Sequence, residues 1–148
     1  MSETKFRKIN NIAGWILFSV ALVTYGLTVE PTASYWDAGE YISTSAKLQI
    51  GHPPGAPFHQ MMGAIFSLFA PSNELIALAV NFLSVVSSAF VILFLFWSTT
   101  LILNKIFKEN EFKNSWAIIL SASIGALAFT FSDSFWFNAV ETEVYALA

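Results

Sequence analysis

Asp37 and Glu40 stand three residues apart, and His52 follows a short amphipathic stretch, with Pro53, Pro54 and Pro57 stiffening the chain around it. Carboxylates at that spacing share one face of a helix and can meet a common cation or a substrate hydroxyl. A serine or threonine hydroxyl is a poor nucleophile at neutral pH, so a carboxylate within hydrogen-bond reach is what its activation needs. An imidazole at a proline-stiffened turn can donate to a phosphate or orient a carboxylate. Spacing alone equally fits two ordinary solvated acids, and it fits His52 as a polar cap on the preceding helix. A second acidic group, Asp133, Glu141 and Glu143, lies near the end of the sequence. Glu141 and Glu143 differ by two residues, so in a helix they diverge and only one points toward the first group. Lys47 reads as a solvated charge ahead of a phosphate ligand, and Trp136 with its phenylalanine neighbours as an interfacial belt ahead of a sugar platform.

These groups sit between segments that belong in a bilayer. Of 148 residues, 55% are hydrophobic, 16% aromatic and only 11% charged, against about a quarter charged in an ordinary soluble domain. The absence of cysteine excludes disulfides and thiolate metal sites. A formal charge of −3 with no basic stripe argues against a nucleic-acid partner.

The fold class expected is an all-α membrane protein with about three transmembrane helices. Residues 11–29 form an apolar run long enough to span roughly 30 Å of hydrocarbon, preceded by Lys5, Arg7 and Lys8. No small-residue cleavage site follows it, so it reads as an uncleaved anchor. Residues 73–103 are a second, overlong span that must tilt or project. Residues 115–131 are a third, rich in the small residues that let membrane helices approach closely. The 30–72 loop carries apolar residues at helical spacing over 42–50 and a second apolar stretch over 56–69, both too short to span. Gly51 and Pro53-Pro54-Gly55 break the helix between them, so the loop reads as helix, turn, helix along the interface. The whole chain, 1–148, reads as part of one membrane domain.

Six of the seven basic residues, Lys5, Arg7, Lys8, Lys105, Lys108 and Lys113, fall before the first span or between the second and third. The positive-inside rule then puts the N-terminus in the cytoplasm, and the 30–72 loop and the 132–148 segment outside. Glu30, Asp37, Glu40, Glu74, Asp133, Glu141 and Glu143 gather on that outer face. It is expected to be the working face.

Asp37-Ala38-Gly39-Glu40, Ala46, Leu48, Gly51, His52-Pro53-Pro54-Gly55, Pro57, Val80-Asn81 and Glu143-Val144-Tyr145 together resemble the transmembrane protein O-mannosyltransferase-like family. That family is similar to the GT-C glycosyltransferases, multi-span enzymes that take a sugar from a polyprenyl-phosphate carrier on the non-cytoplasmic face. The resemblance implies Asp37 as catalytic base, or as a metal ligand in some members, with Glu40 assisting. It implies His52 near the carrier phosphate with Pro53 and Pro54 holding the loop in place, and His52, Pro53, Pro54, Glu143 and Asn81 as the substrate-binding residues. Ala79 stands where some relatives carry an arginine before the Val-Asn pair, which removes a phosphate contact from that helix.

The resemblance implies no fixed cofactor. The donor would be a polyprenyl-phosphate sugar carrying mannose or another hexose. A divalent metal, if used, would be held by Asp37 and Glu40. The partners would be membrane lipid, the lipid-linked donor and a secreted protein acceptor with serine or threonine, and the location a bacterial inner membrane with the active face periplasmic. Relatives have many more spans, so the chain is expected to be an N-terminal fragment that is inactive alone. The competing class is a non-enzymatic membrane subunit or transporter fragment. Transporters place functional charge near the bilayer midplane, and these spans carry none there.

Overall fold

A computed structural model describes residues 2–53, 55–107 and 113–144. Its elements are α1 (Glu3–Thr28), α2 (Ala38–Lys47), α3 (Pro57–Ser67), a 3-10 turn (Asn73–Leu75), α4 (Ile76–Ile106), α5 (Lys113–Thr130) and α6 (Asp133–Val140). There is no strand among the described residues. The stretches Glu3–Thr28 and Asn73–Ile106 are each long and apolar enough to cross a membrane, and α5 with α6 supplies a third candidate if the pair counts as one broken span. The all-helical membrane architecture holds. Pro54, Lys108 and Tyr145 lie outside the described residues.

Helix boundaries shift, and two of the shifts relocate residues named above. The first helix begins at Glu3, so Lys5, Arg7 and Lys8 lie on it rather than before it. The first loop helix occupies Ala38–Lys47 instead of 42–50, because Leu48 takes a left-handed conformation (φ 49°, ψ 47°). Its N–H donates to Ser45 O at 3.2 Å, and the Gln49 N–H to Thr44 O at 2.8 Å, which closes the helix end. The apolar spacing of Leu48 and Ile50 runs past that stop, but both side chains are exposed.

The chain divides into two compact units, Met1–Ala21 with Ala89–Ser132 and Leu22–Ser88 with Asp133–Ala148. In the first, Leu17, Ile92, Leu93, Phe96, Ile118 and Ile119 are buried. Ala122 and Ala126, one helical turn apart, are buried beside them, which is how a helix of small residues packs closely. Ile12, Ile16, Phe94, Leu120 and Ile124 face outward, as lipid-facing side chains do.

The second unit is built around Tyr25, Ala38, Ile42, Val80, Leu83, Val85 and Ala139. Contacts between α2 and α3 fix their relative direction. The Tyr41 ring meets His59 edge-on at 5.3 Å, Gln60 Nε2 donates to Thr44 Oγ1 at 3.0 Å, and Gly63 lies against Ser45. Partners advance together along both helices, so α2 and α3 run in the same sense. The 48–56 segment must therefore travel back along α2 before α3 begins. That return carries His52 to the first turn of α2.

Candidate functional site

Asp37 is the N-cap residue of α2, and Glu40 lies in its first turn. The return segment brings His52 alongside both. Glu40 is gripped twice: the His52 backbone N–H donates to Oε1 at 2.7 Å, and the ring Nδ1 lies 2.8 Å from Oε2. With Nδ1–H donating there, the far nitrogen of the ring is free to face Asp37, and Nε2 lies 3.9 Å from Asp37 Oδ2. One ligand atom from each of Asp37, Glu40 and His52 falls within 4.8 Å of the others. These three are the donors that could hold a divalent cation.

Gly51 explains how the return segment comes so close. A Cβ there would lie 2.8 Å from Gln60 Nε2 and 3.1 Å from Glu40 Oε1. The Gly55 N–H donates to His52 O at 2.8 Å, with Gly55 at φ 73°, a left-handed value that favours glycine. Pro53 sits in this turn.

Electrostatics follow from the pairing. The His52 backbone N–H, then its ring, hold the Glu40 carboxyl below the ordinary carboxylate value against a smaller opposing effect of burial. The hydrogen bond to Glu40, then Glu40's charge and to a smaller extent Asp37's, raise His52 above the ordinary imidazole value. Each partner stabilises the charged form of the other.

The segment that carries Glu141 meets residues 28–34, just before the first acidic group, along a seam. Trp136 Nε1 donates to Thr28 Oγ1 at 3.0 Å, the Glu30 N–H donates to Val140 O at 2.8 Å, and the Ser34 hydroxyl donates to Glu141 Oε2. Glu141 is buried. Glu143 is half-buried, and burial raises its pKa above the ordinary carboxylate value, followed by the charges of Glu141 and Asp37. Its N–H reaches Ser84 Oγ at 3.4 Å. Beyond the end of α6 the helical divergence of Glu141 and Glu143 does not apply; Glu141 accepts from Ser34 of the first loop, while the Glu143 backbone is held by Ser84 of α4.

Asn81 is fully buried in α4. Its Nδ2 donates to Glu30 O at 2.7 Å and Thr32 O at 2.9 Å. Its Oδ1 accepts from the Thr142 N–H at 3.0 Å and from the Thr142 hydroxyl. Lys47 is exposed in the last turn of α2, where the helix dipole favours a cation.

Sequence reasoning missed Ser34, Gln60, Gly63, Ser84 and Thr142. Gln60 carried a signal, as a lone amide inside an apolar stretch that needs a partner when buried. The others carried none, since each is an ordinary small residue until its neighbour in space is known. His59 is buried with no hydrogen-bond partner at either ring nitrogen among the described residues, and burial lowers its pKa.

Comparison with known proteins adds the family. A sequence model of the protein O-mannosyl-transferase TMEM260 N-terminal domain matches residues 37–148, beginning at Asp37 itself. The chain is 32% identical over 133 residues to the protein O-mannosyl-transferase tmem260 of Dictyostelium discoideum, covering 89% of this chain and 15% of that relative. No solved structure matches. With the family model covering three quarters of its length, this chain belongs to the protein O-mannosyl-transferase TMEM260 family, of which residues 37–148 form an N-terminal domain.

Proposed function

We propose that the full-length protein is an integral-membrane transferase of GT-C type. It moves mannose from a polyprenyl-phosphate carrier to serine or threonine of a secreted protein, on the non-cytoplasmic face. In a bacterial inner membrane this is the periplasmic face. The observation that carries the reading is the convergence of Asp37, Glu40 and His52 in a chain of this family.

The three groups divide the chemistry. Both oxygens of Glu40 are committed to His52. Asp37 makes no side-chain cap bond, so its carboxylate is available to take the acceptor hydroxyl proton as the oxygen attacks the sugar C1. The bond from C1 to the carrier phosphate breaks with inversion, and the phosphate leaves with the electron pair. Glu40 favours the protonated form of His52, and an imidazolium beside the leaving phosphate would offset that charge. Alternatively, with His52 neutral, a divalent cation held by Asp37, Glu40 and His52 would supply that compensation in place of the imidazolium. Glu143 adds a carboxylate from the second loop.

Asp37→Asn in the full-length protein tests the assignment, because the amide keeps the shape and loses the base. Transfer from polyprenyl-phosphate mannose to an acceptor peptide is expected to fall by about 100-fold or more, the usual contribution of a general base. An unchanged rate would overturn it.

A further inference from the structure

Four hydrogen bonds meet on one buried amide. A primary amide has two N–H donors and two acceptor lone pairs, and Asn81 spends all four on Glu30, Thr32 and Thr142. No donor or acceptor remains for a sugar or a phosphate. The side chain is also fully buried, so it offers a ligand no surface.

What those bonds connect gives the residue its role. Residues 30–32 lead within a few residues to Asp37, and Thr142 immediately precedes Glu143. These segments are far apart in sequence, and Asn81 lies in α4, between them in chain order. Its amide hydrogens hold one segment and its amide oxygen holds the other. One turn along α4, the Ser84 hydroxyl accepts the Glu143 N–H. Glu30 N–H to Val140 O and Ser34 to Glu141 continue the same seam. Asn81 is the point through which both sides of the seam are tied to α4, a helix of 31 residues.

We infer that Asn81 is a positioning residue that fixes the second-loop carboxylate Glu143 relative to the cluster of Asp37, Glu40 and His52, without touching substrate. The inference rests on the transferase reading above. A positioning residue acts on the rate of the chemical step. Displacement of a reacting group by about 1 Å costs about 100-fold in rate, whereas loss of a contact made equally to bound substrate and transition state appears in KM. Simple loss of folded protein lowers the number of sites and leaves the rate per site untouched.

Full-length protein in lipid nanodiscs, supplied with polyprenyl-phosphate mannose and an acceptor peptide, separates these cases when rates are expressed per donor-binding site. Asn81→Ala is expected to lower kcat by about 100-fold, with KM for donor and acceptor within about threefold of wild type. Thr142→Val removes the hydroxyl bond and keeps the backbone N–H to Asn81, so it should fall less and in the same direction. A raised KM with kcat preserved would overturn the inference and make Asn81 a ligand contact. Should Asn81→Ala fail to fold, Thr142→Val decides, and an unchanged kcat per site there would overturn the inference as well. A wild type that transfers no mannose overturns the transferase reading and this inference with it. An active wild type with unaltered variants overturns this inference alone.

Discussion

Gly63 sets how closely α2 and α3 approach, and Gly63→Ala measures it. A Cβ at this position would lie 2.6 Å from Ser45 Oγ, 2.9 Å from Ser45 Cβ and 3.3 Å from Val80 Cγ1. Carbon atoms pack best at about 3.5–4.0 Å. The Ser45 hydroxyl can rotate away, but Ser45 Cβ is fixed to the backbone of α2, so the helices must separate by some tenths of an ångström to about 1 Å. Val80 on the other side of the same Cβ resists that movement. Overpacking of this kind costs about 1–3 kcal/mol, and replacing a mid-helix glycine by alanine returns about 1 kcal/mol. Taking the middle of the range, about 2 less about 1 leaves a net loss of about 1 kcal/mol. Ser45→Gly removes both close atoms. In that background Gly63→Ala should be stabilising by about 1 kcal/mol, a coupling of about 2 kcal/mol. The assay is temperature-dependent proteolysis of the full-length protein in one detergent, read by mass spectrometry on peptides from residues 38–67, for all four members of the cycle. The result to look for is the change of sign. A Gly63→Ala protein more resistant than wild type with Ser45 in place would refute the packing argument.

The Glu40–His52 pair makes the return segment pH-dependent. Glu40 is lowered on folding, so its contribution disappears as pH falls through its folded pKa, while His52 is raised above 6.5, so its contribution disappears as pH rises through that higher value. The pair is intact only between the two. Diethyl pyrocarbonate labelling of His52, followed by mass spectrometry against pH, should show a midpoint above 6.5 that moves back toward 6.5 in Glu40→Gln; identical midpoints in both proteins would dismiss the pairing. Gly51→Ala should depress transfer while leaving proteolytic resistance nearly unchanged, because its Cβ meets only the movable ends of Gln60 and Glu40. A protein with full activity would mean that Glu40 need not stay where it is.

The helical, membrane-spanning character was legible because composition and the length of apolar runs report directly on burial in lipid. The grouping of Asp37, Glu40 and His52 was legible in part. Three-residue spacing places the two carboxylates together, but nothing in spacing alone says that a chain leaving α2 at Lys47 returns along the same helix to deliver His52. That depends on the left-handed Leu48 and on Gly51 passing close to Gln60. Leu is not a residue that announces a left-handed turn, and the apolar period running on through Ile50 concealed it. The seam was illegible for a different reason. Ser34 with Glu141, and Asn81 with Thr142, are tertiary pairings of residues 107 and 61 positions apart. For Asn81 the motif drew attention to the position, and only the four bonds reveal what the side chain does.

The local rule that this site breaks is itself informative. Asp at the N-cap and Glu three residues later is the arrangement in which a helix satisfies its own first N–H groups, the acid at the cap reaching forward and the glutamate reaching back. Asp37 and Glu40 occupy those two positions in α2. Yet Asp37 sits at φ −83°, ψ −4° and makes no side-chain cap bond, away from the extended conformation that a capping residue adopts. Glu40 gives both oxygens to His52. A cap is worth about 1 kcal/mol to a helix, and α2, with ten residues, is short enough to need one. The helix start is left without it while its two acids face an imidazole instead. Departures of that kind, where local consistency is given up, concentrate at functional sites. They also distinguish the two acids by their bonding. The one bound twice holds His52, and the other has neither a side-chain cap bond nor a close hydrogen bond among the described residues, as the base proposed for the transfer requires.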